Sequence, residues 1–201
     1  LLRYCTQLSS LTLGDSVTSI GGYAFQDTAL TSVTIPDSVT SIGAYAFASA
    51  GSLTSVTFGS GLASISGSAF RQTALTSVTI PNSVTSIGSY AFYGASLTSV
   101  TFGSGLTSIG SYAFKDTALT SLTIPDSVTR IGSSAFQGLT SLTSLTLGSG
   151  ITSVSYGAFD GICTTSTNSL VSAELNLASI PDKLLRYCTQ LSSLTLGDSV
   201  T

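Results

Sequence analysis

The chain has 201 residues, a formal net charge of −3, and no His, Met or Trp. Only 7% of its residues are charged, against about a quarter in an average soluble protein, and no basic cluster is present to neutralise phosphates. We therefore expect no nucleic-acid partner.

Without His, this chain cannot form a Ser-His-Asp triad, a Cys-His pair or a His metal site, and we expect neither a cofactor nor enzymatic activity. Mean hydropathy is +0.48, but no apolar run approaches the ~18 residues of a membrane helix, so membrane insertion is not expected.

The first predicted element is a unit that opens at Leu8 and returns every 22 or 23 residues. Further units open at Leu30, Leu53, Leu75, Leu97, Leu119 and Leu142. A fixed period of this length is typical of solenoids, in which each unit forms one turn. Each turn, or rung, buries its apolar face against its neighbours at a strand spacing of about 4.8 Å.

The unit from Leu30 illustrates the predicted course of one rung. Its segment LTSVTI alternates, with Val33 and Ile35 on one side and hydroxyl side chains on the other, which predicts a short strand. Pro36 cannot donate to a sheet ladder and ends the strand, and Gly43 marks a second corner.

Two aromatic columns accompany the repeat. The first is interpreted as a buried spine, with ligand stacking as the alternative, and consists of Phe25, Phe47, Phe70, Phe92, Phe114, Phe136 and Phe159. The second breaks at Ser68 and Ser134 and is expected at the edge of the core with its hydroxyls outward. Contact between fibres is its alternative role, and its members are Tyr23, Tyr45, Tyr90, Tyr112 and Tyr156.

The pattern L-x-x-V-x-I-P-x-S-V-x-x-I-G-x-x-A-F resembles the BspA-like subfamily of leucine-rich-repeat surface proteins over nearly the whole chain. The resemblance implies a cell-surface location and a role in adhesion. The expected fold is a mainly β leucine-rich-repeat solenoid with one short parallel strand per rung, extended or turn segments on the other side, little helix and low curvature. The family often has Cys three residues after the Phe, a place that only Cys188 keeps here.

Successive units alternate, giving a period near 45 residues. Units from Leu30, Leu75 and Leu119 carry Pro corners, and units from Leu53, Leu97 and Leu142 carry Gly-Ser-Gly corners. We interpret Gly-Ser-Gly as a tight corner rather than a phosphate loop, since no helix or Lys follows. The polar corner residues are predicted to cap turns, with a weak Ca²⁺ site as the alternative, and comprise Asp15, Asp37, Asn82 and Asp126.

Residues 1–18 and 184–201 both read LLRYCTQLSSLTLGDSVT. The interpretation is a single continuous array over 1–201: residues 1–7 end a preceding unit, 8–190 form one 183-residue superrepeat of eight rungs, and 191–201 begin the next. A parent made of near-identical blocks is the leading explanation, and a chain deliberately closed on itself is the alternative.

The outward strand positions form a ladder of small hydroxyls that hardly varies along the chain. It suits a repetitive partner such as a glycan, a mineral, an ice lattice or another copy of the chain, and the alternative is a plain solvated face. The ladder runs through Ser32, Thr34, Ser55, Thr57, Ser77, Thr79, Ser99, Thr101, Ser121, Thr123, Ser144 and Thr146.

After Phe159 the pattern loosens. Cys163 and Cys188 are about one solenoid turn apart, which predicts a disulfide between them and an oxidising compartment, with two reduced thiols as the alternative. Cys5 is the repeat equivalent of Cys188, so its partner is expected outside this sequence. The same block concentrates charge once per superrepeat and is predicted to make lateral or partner contacts through Glu174, Lys183 and Arg186.

These features favour an extracellular structural protein that forms a long rod, fibre or surface coat from tandem superrepeats and has itself as its partner. The first alternative is an adhesin or binding module for a host protein, matrix protein or glycan, as the resemblance implies. The second is an ice- or crystal-binding face on the hydroxyl ladder.

Overall fold

A computed structural model describes residues 2–165, 169–177, 180–181 and 184–198. The chain coils into a solenoid of parallel strands, and the described residues contain no helix. Its strands are β1 Ser19–Ile20, β2 Ser32–Ile35, β3 Ser41–Ile42, β4 Ser55–Phe58, β5 Ser64–Ile65, β6 Ser77–Thr79, β7 Ser86–Ile87, β8 Ser99–Thr101, β9 Ser108–Ile109, β10 Ser121–Ile124, β11 Arg130–Ile131, β12 Ser144–Leu147, β13 Ser153–Val154, β14 Ser172–Leu175 and β15 Ser193–Leu196.

Each regular rung contributes two strands, one more than the sequence predicts. The two-residue strands join into one continuous seven-stranded sheet, in the order β1-β3-β5-β7-β9-β11-β13. The longer strands form separate sheets, β2-β4, β6-β8 and β10-β12-β14-β15. Equivalent residues pair in register, as Ser41 does with Ser64 and Ile42 with Ile65. The mainly β leucine-rich-repeat solenoid is therefore confirmed, and its extended second segments prove to be strands.

The Phe column is the buried spine that the sequence predicts. Neighbouring rings are stacked with centroids 5.2–5.5 Å apart from Phe25 to Phe159. Between the spine and the strands, most inward Leu, Val and Ile side chains of the central rungs are almost fully buried. Three buried Thr hydroxyls lie where the related pattern has Cys, and each donates to the carbonyl of its own Phe; they belong to Thr28, Thr73 and Thr117.

Proline explains why the sheet of longer strands is interrupted. Beyond the end of a strand, the next N–H continues the ladder to the preceding rung, as Gly148 N does to Ile124 O at 2.9 Å. Pro81 and Pro125 occupy the equivalent place and have no N–H to donate. The ladder is interrupted between β4 and β6 and again between β8 and β10, each time before a Pro rung. The 45-residue alternation therefore pairs each Pro rung with the Gly rung that follows it.

The Gly-Ser-Gly corner packs directly on the Pro corner of the preceding rung. A Cβ on Gly61 would collide with the backbone carbonyl of Asp37, so only glycine fits there. The Asp37 carboxylate accepts hydrogen bonds from Ser60 N at 2.6 Å and Ser60 Oγ at 3.0 Å. Asn82 accepts in the same way from Ser104 N at 2.9 Å.

These polar residues were expected to cap turns, and the structure shows that the corner they cap belongs to the following rung. The hydrogen bonds from Ser60 hold the pKa of Asp37 below its ordinary value, because they favour the ionised carboxylate. Because this pKa is lower in the folded state than in the unfolded state, the ionised carboxylate stabilises the fold at pH values above the unfolded-state pKa. This contribution is lost as the pH falls through the folded-state pKa.

We predict that Asp37→Asn removes this pH dependence while keeping the cap, since Asn82 makes the same bond one 45-residue period later. The urea midpoint of the wild type should fall relative to that of the variant as the pH drops below about 4. Urea unfolding between pH 2 and 7 measures this difference, and Asn82→Asp is the reciprocal control, which should gain the dependence. A difference that stays constant with pH contradicts the assignment.

Candidate functional site

The outward hydroxyl ladder lies on the longer strands, as expected. Its members are exposed from Ser32 to Thr123, whereas Ser144 and Thr146 are half-buried. The strands that carry the ladder are not one continuous sheet, because the Pro rungs interrupt them.

Two further hydroxyl columns, which the sequence reasoning missed, bond along the solenoid axis. The Thr directly before most strands donates its Oγ1 to a backbone carbonyl of the preceding rung. In one column these are Thr54, Thr98, Thr120 and Thr143, and in the other Thr40, Thr85, Thr107, Thr129 and Thr152. The repetition of Thr at these two positions was the available signal. Much of the hydroxyl content is thus structural rather than free for a partner.

The irregular block contains the predicted disulfide. Cys163 and Cys188 are joined, with Cα atoms 5.1 Å apart, and Cys5 is a half-buried free thiol. Thr28, Thr73 and Ile162 each stand three residues after a Phe of the spine, the repeat position that Cys188 also occupies. Cys163 therefore lies one residue after that position.

Two of the three charged residues predicted for contacts in this block lie within the described residues. Glu174 lies on β14, exposed, and accepts a hydrogen bond from Asn176 Nδ2 at 3.2 Å. Arg186 lies on the turn segment later in the same rung, with its guanidinium 4.5 Å from the ring centroid of Tyr187. Lys183 lies outside the described residues. The structure therefore places Glu174 and Arg186 on different segments of the coil.

The tyrosine column has a more specific geometry than the sequence predicts. Each member directly precedes an Ala-Phe pair and has a left-handed backbone, with φ between 54° and 66°; the members are Tyr23, Tyr45, Ser68, Tyr90, Tyr112, Ser134 and Gly157. The assignment of Tyr156 to this column was wrong. The spacing from Val154 places Gly157 there, and Tyr156 is 85% exposed.

The tyrosines stack in two pairs. Tyr23 and Tyr45 have ring centroids 4.9 Å apart and an interplanar angle of 3°, and Tyr90 and Tyr112 have centroids 4.7 Å apart at 12°. Ser68 occupies the rung between the two pairs and is buried. The column therefore has a gap of one ring with an aromatic pair on each side.

A groove of about 420 Å³ opens at this gap, within the size range of small-ligand clefts. Its lining residues are Tyr45, Ser68, Arg71, Tyr90, Tyr93, Tyr112 and Lys115. The two cationic residues of the groove stand directly after a Phe of the spine. This column was not considered in the sequence analysis. In neighbouring rungs that position holds Arg71, Tyr93 and Lys115, so the sequence did contain the signal.

The described parts of the chain give little support for a phosphate site, a metal site or a membrane-spanning helix. Gly59 lies against the backbone of Pro36, so the Gly-Ser-Gly corner packs on protein rather than opening toward a phosphate. No three His, Cys, Asp or Glu side chains of the described residues come together as a metal-binding group. Within the same residues, no helix is long and apolar enough to cross a membrane.

The stacked parallel rungs and the buried Phe spine define a leucine-rich-repeat solenoid. The family model described as "BspA type Leucine rich repeat region" matches six copies, over residues 2–118 and 107–201, and the chain belongs to this family. No curated protein gives a significant match.

Solved structures with the same fold come from several bacteria. A leucine-rich repeat protein from Bacteroides ovatus is 25% identical, with a TM-score of 0.76 over 99% of this chain and 57% of its own. One from Eubacterium ventriosum is 25% identical, with a TM-score of 0.56 over 99% of this chain and 58% of its own. The T. pallidum protein TpLRR, at 22% identity and a TM-score of 0.62, covers 89% of this chain and 77% of its own and supports the fold alone. This chain thus spans little more than half of the first two proteins.

We predict that the double variant Cys163→Ala, Cys188→Ala lowers the free energy of unfolding by about 2–4 kcal/mol, because the disulfide restrains the unfolded chain. Thermal unfolding with and without reductant measures the change, and the single variant Cys5→Ala is the control. The double variant should respond little to reductant. Equal stability of the oxidised wild type and the double variant would overturn this prediction.

Proposed function

We propose that this protein is an extracellular scaffold, a stiff rod whose length is set by stacked rungs. The observation that carries the proposal is the seven-stranded sheet, in which each rung bonds in register to the next without interruption from β1 to β13. The outward hydroxyl face carries almost no charge, and the Thr columns direct further hydrogen bonds along the axis. This arrangement resists bending and separation of rungs and offers little chemistry for catalysis.

The proposed location follows from the disulfide and the family. Disulfides persist mainly in oxidising environments outside the cytosol. The resemblance to BspA-like surface proteins agrees with such a location. Arrays of the 183-residue superrepeat would repeat Glu174, Lys183 and Arg186 at regular intervals, and we propose these residues for lateral contact between rods.

A small-angle X-ray scattering series tests the rod. A chain extended by one more copy of residues 8–190 adds eight rungs, or about 38 Å at strand spacing. The maximum dimension should rise by that amount, and the cross-sectional radius of gyration should stay constant. A larger cross-section, or a length that fails to grow, would show that the blocks fold back or collapse, and the scaffold proposal would fail.

A second candidate function, as a binding module, is favoured by the groove at Ser68. Its tyrosine walls and flanking cations set it apart from the repetitive hydroxyl ladder. Host or matrix proteins and glycans are the partner classes that the resemblance implies.

A further inference from the structure

The gap at Ser68 has the dimensions of a missing ring. The Phe rings of the same three rungs, Phe47, Phe70 and Phe92, lie 5.2 and 5.5 Å apart in sequence. Tyr45 and Tyr90 are therefore held about two rung spacings apart, or roughly 10 Å. A ring placed midway lies about 5 Å from each wall, within the usual range of 4.5–7 Å for stacked ring centroids.

The gap accepts a saturated ring as well as a flat one. Flat rings stack on both of their neighbours at this spacing in the Phe spine, where Phe70 lies 5.2 Å from Phe47 and 5.5 Å from Phe92. A saturated six-membered ring in a chair form is thicker and has C–H bonds on both faces. It can therefore contact both Tyr45 and Tyr90, as a pyranose does between aromatic side chains.

The groove also attracts negative charge. Arg71 lies at its edge with its Cζ 5.4 Å from the ring centroid of Tyr93, and Lys115 Nζ lies 5.7 Å from that of Tyr112. The Nε of Arg71 is buried and has no hydrogen-bond partner in the described part of the chain. Arg71 and Lys115 are only half-buried, so the accessible part of the guanidinium and the Lys115 ammonium can donate charge-assisted hydrogen bonds to an anionic ligand oxygen.

We propose that the Ser68 groove binds an acidic saccharide. The pyranose ring enters between Tyr45 and Tyr90, and its carboxylate or sulfate binds Arg71 and Lys115. This gives the second candidate function a ligand, and it does not depend on the scaffold role. Loss of binding would leave the length of the rod unchanged, so the two proposals fail separately.

The other break in the tyrosine column lacks these features. Ser134 has Tyr112 on one side, but the next member of the column is Gly157, which has no ring. The carboxylate of Asp160 lies beside Gly157, where it would repel an anion. Ser134 therefore supplies a matched control within the same chain.

The test is an NMR titration of the full chain with tetragalacturonate, with neutral maltotetraose as the comparison ligand. Ser68→Tyr fills the gap with the residue that the same column already carries at Tyr45 and Tyr90, so the variant should fold. We expect its affinity for tetragalacturonate to fall at least about tenfold. Arg71→Gln introduces the residue found at the equivalent Gln26, and it should weaken the acidic ligand severalfold without affecting the neutral one.

Ser134→Tyr should leave binding unchanged, and thermal unfolding verifies that every variant is folded. The proposal is overturned by no binding at about 10 mM tetragalacturonate, by equal affinity for maltotetraose, or by unchanged binding in Ser68→Tyr. Preferential binding of a tyrosine-sulfate peptide would also overturn it, because that outcome makes the site one for aromatic anions. Shifts produced equally by inorganic sulfate alone would reduce it to a simple anion site and reject the saccharide.

Discussion

The structure depends on one constraint, the register with which each rung bonds to the rung before it. Equivalent residues pair directly, so a side chain that appears once in the repeat becomes a column along the axis. Many backbone N–H groups without a partner in their own rung bond to a carbonyl of a neighbouring rung, which satisfies polar groups that no helix pairs within the described residues. The Phe spine then fills the interior, and its stacking distance follows the rung spacing.

The same register explains why small sequence changes have local structural effects. A proline in one rung removes one axial donor and opens the sheet only on one side, before β6 and β10. A serine in the tyrosine column leaves a gap one ring wide rather than a collapsed surface, because Tyr45 and Tyr90 are held by their own rungs. The longer segment after Phe159 is fixed to the next rung by the disulfide between Cys163 and Cys188. In a periodic molecule, the places where a column changes are the places where a specific site can arise.

The columns themselves could be predicted from the sequence. The period, the buried Phe spine and the pairing of Cys163 with Cys188 need only spacing and burial arguments, and the structure confirms them. Tyr156 was misplaced because it was matched by residue type rather than by spacing: Gly157, not Tyr156, directly precedes the Ala-Phe pair, and its left-handed backbone confirms the position. The groove was missed because its depth comes from the absence of an aromatic ring at Ser68. Its charge comes from the position after each Phe, where Arg71 and Lys115 alternate with uncharged residues. The second row of strands was underestimated because two-residue strands give too short a pattern to detect.

Amide hydrogen exchange tests this account most directly. In the seven-stranded sheet, the N–H groups of Gly88, Gly110 and Gly132 bond to carbonyls of the preceding rung at 2.7–2.8 Å, and they should exchange slowly and at similar rates. The amides of β6 and β10 that face an open side should exchange faster than those at the same positions of β4 and β12, which lie inside paired strands. Uniform protection of all the longer strands, or glycine amides that exchange as fast as exposed turns, would contradict an axial ladder interrupted at the prolines.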